Sequence, residues 1–559
     1  MTQTKLMLDY VYEHESALAS RVFLTQPVGA GQLVDYSWAQ LMDQARRMAR
    51  HLKNQGFEPG ARIAMLAKNS AHFMIAELAI WMAGYTTVAI FPTESAATIG
   101  YVLEHSEARL LFIGKLDNWQ AQASGVSAGL PCIALPLSPN TGHASWDAII
   151  GATAPIAGRP SRAAQDLAML AYTSGSTGQP KGVMQSFAGI TRAAECLTAN
   201  YRTELGNDAI FRVLSYLPLA HVYERAHIEA NALLLGNAHI FFAESMDTFM
   251  QDLLRARPTF FVSVPRLWLK FQQGVFAKMP ERRINFLLRI PVVGKLVGRK
   301  ILKGLGLDQV TAAGSGSAPI PVALIEWYRR LGLPLLEGYA MTEDFACSHT
   351  SSLIHNRPGR VGVALPGVQV RVGHDGEILI KSPGQFVGYY KMAELTADSF
   401  TADGFFKTGD LGELDPDGLL KLTGRKKELF KTGKGKYVAP APIENRINAH
   451  AMVEMSLVSG VGQQAAYALV VLAEDLRPRV AQAPVRANVE QALTALLQEV
   501  NQQLPGYERL RMLVVASQPW SMDNGCLTPT MKIKRNRIEA SVAPHVDAWY
   551  AQPGPVVWA

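Results

Sequence analysis

Residues 171–182 read Ala-Tyr-Thr-Ser-Gly-Ser-Thr-Gly-Gln-Pro-Lys-Gly and hold the densest chemistry of this 559-residue chain. Gly175 and Gly178 let backbone amides approach an anion closely, Thr173, Ser174, Ser176 and Thr177 add hydroxyl donors, and Lys181 adds a positive charge. That set suits the phosphates of a nucleotide. It is not the loop that ends in Gly-Lys-Ser/Thr, because Pro180 precedes Lys181 and Gly182 follows it. The same composition suits a surface turn, and composition alone does not separate the two readings.

Other residues able to do chemistry are spread along the chain. Leu217-Pro218-Leu219-Ala220-His221-Val222-Tyr223-Glu224-Arg225 sets a histidine in an apolar run, where a satisfied core histidine is the ordinary finding. Gly314-Ser315-Gly316-Ser317-Ala318-Pro319, Glu337-Gly338-Tyr339-Ala340-Met341-Thr342-Glu343, Thr408-Gly409-Asp410, Gly424-Arg425-Lys426-Lys427-Glu428 and Leu527-Thr528-Pro529-Thr530-Met531-Lys532 follow. With residues 171–182, and in this order over nearly the whole chain, these segments resemble the signatures of the adenylate-forming (AMP-binding) superfamily. That superfamily holds acyl-CoA synthetases, aryl-CoA ligases, peptide-synthetase adenylation domains and luciferases. The wording of 217–225 and 422–445 is most similar to long-chain fatty acyl-CoA synthetases.

The resemblance implies an acid–thiol ligase working in two half-reactions. A carboxylate attacks the α-phosphate of Mg-ATP, giving an acyl-adenylate and pyrophosphate; the thiol of coenzyme A then takes the acyl group and AMP leaves. The protein must hold two anions together and neutralise charge as they react. By resemblance, Lys532 bridges the substrate carboxylate and the α-phosphate, and Glu343, after Thr342, ligates Mg²⁺ as a hard oxygen donor. Asp410 accepts from the ribose hydroxyls and Arg425 donates to them. Gly316, Gly338 and Tyr339 flank the adenine, and Thr173 to Gly178 with Lys181 cradle the phosphates. His221 is placed at the carboxylate end of the acyl pocket, Lys427 at the hinge, and Gly433, Lys434 and Gly435 beside the pantetheine channel. The expected substrate is a medium- or long-chain fatty acid. A carrier-protein acceptor, an aryl or short-chain acid, and an inactive acyl- or nucleotide-binding regulator are the alternatives. Ala340 stands where glycine is usual, and Phe345-Ala346-Cys347 replaces a more polar run, which leaves pocket shape open.

These residues need a frame to position them. Ser37 to Gln55 has helical spacing with a capping serine, Ala61–Leu66 reads as a buried strand, Ala71–Met82 as a helix stopped by Gly84, and Thr86–Phe91 as another strand. Strands at 211–214, 239–242, 260–264 and 310–313 continue the alternation, which predicts parallel α/β layers. Asp375-Gly376, Asp403-Gly404 and Asp417-Gly418 predict β-hairpins between 368 and 422. A strand over 466–472 and a helix over 489–503 predict a smaller α+β unit after them. The expected fold class is α/β: a large multi-layer N-terminal domain with parallel sheets and a β-rich subdomain, and a small α+β C-terminal lid. The resemblance puts the domains at 1–424 and 425–559.

Hydrophobic residues make up 48% of the chain and charged residues 18%, the balance of an ordered protein. Four scattered cysteines form no zinc or redox motif, and Met1 to Tyr10 lacks a basic-then-apolar pattern, so a cytoplasmic setting is expected. A net charge of +7 without a long basic tract gives no case for nucleic acid. A homodimer stays open. Gly125-Val126-Ser127-Ala128-Gly129 spells a hydrolase motif, but with a helix-like stretch before it and a strand-like one after it, the reverse of a nucleophile elbow. Residues 282–303 are basic, apolar and free of acids; they suggest peripheral membrane contact, which Pro291, Gly294 and Gly298 weaken by interrupting a regular face.

Overall fold

The structure, a computed structural model, describes residues 5–173, 179–206, 209–528 and 530–559. Local signals set many of its elements. Ser37 accepts the Gln40 amide and the Gln40 side chain accepts the Ser37 amide, so the helix Trp38–Asn54 starts at its predicted cap. Helix Ala71–Ala83 is buried on every face and ends at Gly84, whose φ of 93° needs no Cβ. It belongs with strands that are buried over nearly their whole length, polar only toward their ends: Arg62–Leu66, Thr86–Ile90, Leu110–Ile113 and Leu167–Thr173. A strand buried on both faces cannot show alternation, which is why these read as continuous apolar runs.

The largest sheet has eight strands, in the order Gly388–Tyr389, Lys181–Ser186, Leu167–Thr173, Thr86–Ile90, Arg62–Leu66, Leu110–Ile113, Cys132–Ala134 and Ala144–Ser145. Its pairings are parallel from Leu167–Thr173 onward, while Lys181–Ser186 runs antiparallel to both its neighbours. A second sheet sets Phe260–Ser263, Ala312–Ser315 and Leu335–Tyr339 parallel, then adds two short antiparallel strands. The sequence placed the middle strand two residues too early; its apolar start, Val310, lies in the approach to the sheet. A third sheet joins Phe211–Ser215 and Ala238–Phe242 to the chain's first two strands.

Gln369–Val372, Glu377–Lys381, Phe406–Leu414 and Leu420–Arg425 form an antiparallel sheet with hairpins at Asp375-Gly376 and Asp417-Gly418, as predicted. The last part of the chain builds Val453–Ser459, Ala466–Leu472, Leu510–Val515 and Val556–Trp558 into one sheet. The helix Ala483–Gln502 flanks it and begins six residues before its predicted start, because Pro484 opens the first turn where the apolar repeat is still silent. Among the described residues no buried apolar cluster has members on both sides of 422–430. An ion pair crosses instead: Arg266 bonds Glu454, which is also held by Arg477 on its own side. No helix among the described residues is long and apolar enough to cross a membrane.

Candidate active site

Strand register makes the first constellation. Asp410 on Phe406–Leu414 lies opposite Arg425 on Leu420–Arg425. Arg425 donates from Nε to Asp410 Oδ1 at 2.8 Å, and the Tyr339 hydroxyl donates to Oδ2 at 2.8 Å. The bend that presents Asp410 is fixed locally. Gly409 has φ 72°, the Asp410 amide donates to Thr408 Oγ1 at 3.0 Å, and Thr408 Oγ1 donates to the Ile378 carbonyl at 2.8 Å. Tyr339 is buried on Val361 and Ile378, so its hydroxyl has a fixed direction. A Cβ added at Gly338 would lie 3.6 Å from the His349 carbonyl oxygen, an ordinary contact.

The second constellation surrounds Tyr389. Its hydroxyl donates to Glu343 Oε1 at 2.7 Å, and Lys181 Nζ stands 5.4 Å from its ring centre. Glu343 sits in the turn Thr342–Asp344. That turn is held by Gln185 Nε2 on the Thr342 carbonyl at 2.8 Å and the Phe386 amide on the Glu343 carbonyl at 2.7 Å. Phe345 and Ala346 follow with φ of 50° and 57°, both buried, so packing pins a left-handed pair directly behind the glutamate. Beneath it, burial pushes the Asp344 carboxyl up to about 8, leaving it protonated at neutral pH. Lys181 pairs with Thr173 across the antiparallel ladder. Ser174, Gly175, Ser176, Thr177 and Gly178, on which the phosphate reading rests, lie outside the described residues.

His221 caps the turn Val222–Glu224 by accepting the Tyr223 amide at Nδ1, 3.1 Å away. Acceptance at Nδ1 leaves the ring proton on Nε2. Burial, and then the charge of Lys532, push its pKa down to about 3, so the imidazole is a neutral donor. Lys532 reaches this place from a tight reversal. Leu527 and Ile533 form an antiparallel bridge, the Thr528 amide donates to the Lys532 carbonyl at 2.8 Å, and Met531 has φ 61°. Its ammonium is surrounded by protein, which lowers its pKa. Arg425 lowers it further, while Asp410, Glu428 and Glu343 act the other way. Lys532 and Arg425 are crowded by protein yet both are exposed, Arg425 with 55% of its side chain accessible. Lys532 is thus within electrostatic reach of Arg425, Asp410, Glu428, Glu343 and His221.

Gly316 lies under Tyr223: a Cβ added there would stand 3.1 Å from the ring. Gly433, Lys434 and Gly435 lie elsewhere, at the tip of the hairpin Phe430–Lys431 and Tyr437–Val438. The Gly433 amide donates to the Gln463 carbonyl at 2.8 Å, and no described hydrogen bond or ion pair joins this tip to the Asp410 group. The hydrolase-like Ser127 follows a short turn, Ala123–Gly125, and precedes the strand Cys132–Ala134, so no nucleophile elbow forms.

Sequence reasoning missed Tyr389, Asp344 and a buried ionic network under His221. Arg225 bonds Glu77, faces Glu229 and donates from Nε to the Leu219 carbonyl at 2.7 Å. Glu224, pushed up to about 8 by burial, accepts Ser215 at 2.7 Å and the Tyr216 amide at 3.1 Å. Asn69 accepts the Leu219 amide at 2.9 Å. A signal existed: Glu77 is the one charged side chain of an otherwise apolar helix, apart from His72, and such a charge needs a partner. The network clamps 217–225, and with it His221.

The fold recurs in known adenylate-forming enzymes. The didomain of carboxylic acid reductase from Segniliparus rugosus, solved with AMP, superposes with a TM-score of 0.81 at 21% identity over 99% of this chain and 83% of that one. The anthranilate CoA ligase AuaEII gives 0.78 at 19% identity over 98% and 99%. Residues 15–390 match the AMP-binding enzyme family, and 429–553 match the AMP-binding enzyme C-terminal domain. The long-chain-fatty-acid–CoA ligase FadD15 of Mycobacterium bovis is 30% identical over 97% of this chain and 96% of its own. Long-chain-fatty-acid–CoA ligase 1 of Cavia porcellus is 28% identical over 92% and 82%. The chain belongs to the AMP-binding enzyme family and stands among the acid–thiol ligases of the adenylate-forming superfamily.

Proposed function

We propose that this protein activates a medium- or long-chain fatty acid with Mg-ATP and passes the acyl group to coenzyme A. The observation that carries the reading is that the bonded pair Asp410–Arg425, together with Glu343 and His221, lies within electrostatic reach of Lys532. Lys532 neutralises the approaching carboxylate and α-phosphate, a role that fits an ammonium crowded by protein and flanked by three carboxylates. Neutral His221 donates from Nε2 toward the substrate carboxylate without adding charge. Asp410 and Arg425 hold the ribose, and Tyr339 couples that pair to the adenine segment through its hydroxyl. Lys181 and residues 173–178 hold the phosphates on this reading.

Glu343 fits a magnesium ion. One of its oxygens is oriented by Tyr389 and the other is left for a hard cation, and Mg²⁺ is commonly held by one carboxylate with substrate phosphates and water. Bound there, the ion would screen the phosphate charge. The split of buried clusters at 422–430 supports domains 1–424 and 425–559 with a hinge at Lys427. Rotation about it brings the Gly433–Gly435 tip to the cleft for the thiol step. The names of the long-chain relatives favour a fatty acid; the likeness to a reductase didomain makes a carrier-protein thiol the second reading. The test is coenzyme-A-dependent AMP release across acids from acetate through palmitate to cinnamate. A maximum at long chains is the expected result. Pyrophosphate release without a thioester would move the acceptor to a carrier protein.

A further inference from the structure

Residues 281–304 form two helices, Glu281–Arg289 and Val293–Gly304, packed as a pair, the second of them also against the helix Val322–Leu331. The glycines that break the apolar face in sequence are contacts of the inner side. A Cβ on Gly294 would stand 2.6 Å from the Leu288 carbonyl oxygen, and one on Gly298 would stand 2.5 Å from the Leu331 carbonyl oxygen. Ile284 and Leu302 are buried beside them. Pro291 falls between the helices. The outer side is therefore uninterrupted, contrary to what the linear pattern implies.

That outer side joins two features that rarely share a solvated surface. Phe286, Val292 and Leu296 are 64%, 69% and 60% exposed. Arg282, Arg283 and Arg289 lie one turn either side of Phe286, and Arg299 and Lys300 lie one turn beyond Leu296. With Lys295 and Lys303 these seven cations are all exposed, and among the described residues none makes an ion pair. No Asp or Glu occurs between Arg282 and Lys303. The partner must offer negative charge at its surface and apolar matter just beneath. A nucleic acid offers only the first and would leave the three apolar side chains in water. Helices of 9 and 12 residues are too short to span a bilayer but suit lying in its interface.

We propose that this helix pair docks the protein on an anionic lipid bilayer. Phe286, Val292 and Leu296 enter the headgroup–acyl boundary while the arginines and lysines sit on lipid phosphates. Leu288, Ile301 and Leu302 belong to the same packed cluster as Ala313, on the strand that leads to Gly316, so docking holds the cleft's own sheet at the membrane.

The experiment is sedimentation of the full chain with vesicles of phosphatidylcholine alone or with about one-third phosphatidylglycerol. It contains neither ATP nor acid, so its outcome is independent of the catalytic reading. The expected result is binding to the anionic vesicles only, weakened as salt rises from about 0.1 to 0.5 M. The F286S/V292S/L296S and R282E/R289E/R299E variants should each lose about tenfold or more in partitioning, with unchanged circular dichroism and melting. Absence of binding to anionic vesicles would overturn the proposal, as would equal partitioning of wild type and the triple serine variant. So would displacement by a DNA duplex that binds both variants' parent and the serine variant alike.

Discussion

Asp410→Asn is the sharpest perturbation of the cleft. Asp410 accepts two donors at 2.8 Å, the Tyr339 hydroxyl and Arg425 Nε. Asparagine supplies one oxygen and one NH₂, so it can keep one partner while setting donor against donor at the other. The Tyr339 hydroxyl lies in a buried residue, and leaving it unpaired costs about 1–3 kcal/mol. Arg425 is more than half exposed, so its ion pair contributes only about 0–1 kcal/mol. With ribose bound, the lost charge-assisted bond adds about 1.5–3 kcal/mol to the nucleotide term. A net loss of about 2–3 kcal/mol corresponds to roughly 30- to 150-fold weaker ATP binding. Titration calorimetry with ATP and AMP reads this directly, and the KM for the acid should stay within about twofold because the acyl end is untouched. Tyr339→Phe removes only the hydroxyl, and a double-mutant cycle with Asp410→Asn separates the internal bond from the nucleotide contact. Asp410→Asn binding ATP within about threefold of wild type, with normal melting, would refute the reasoning and leave Asp410 as an acceptor for its two protein partners alone.

Lys532→Ala should lower acyl-adenylate formation by about 10²–10³ while thioester formation from supplied acyl-adenylate persists; equal loss in both half-reactions would contradict the role given to the ammonium. Arg225→Ala strands Glu77 and Glu229 in the interior and should destabilise the large domain by about 3–5 kcal/mol, seen in thermal melting, with partial recovery when Glu77→Gln is added. Asp344 holds a proton in the folded state up to about pH 8 that the unfolded chain releases near 4; folding therefore binds a proton, and this residue's contribution to stability falls as pH rises through that window. Asp344→Asn should narrow the difference in Tm between about pH 5.5 and 7.5, and an unchanged difference would show that the carboxyl is ionised in the native protein.

The elements that the linear chain specified are those whose instructions are local. Ser37 with Gln40 starts a helix, Gly84 ends one, Asp375-Gly376 and Asp417-Gly418 turn hairpins, and Ala466–Leu472 is a strand at its predicted bounds. Where the local signal is weak the boundary moved, as at Ala483–Gln502, whose first turn is marked by a proline rather than by apolar spacing. The seven signature segments are likewise legible in the linear chain, because a motif is local by construction.

Their assembly was decided by tertiary structure. Asp410 meets Arg425 only because one register of two strands, shifted between Leu411 and Gly412, sets them opposite each other. Tyr389 meets Glu343 across 46 residues and Arg225 meets Glu77 across 148, distances over which no periodicity carries information. Gly294 and Gly298 illustrate the same limit: sequence reads them as breaks, and only packing shows that each lies against a carbonyl on the hidden face. Residue types and short-range turn chemistry follow from the chain by itself. Which groups come together, which protonation state burial imposes on His221 and Asp344, and the downward pull on the Lys532 pKa follow from desolvation and register, and those exist only once the sheets have closed.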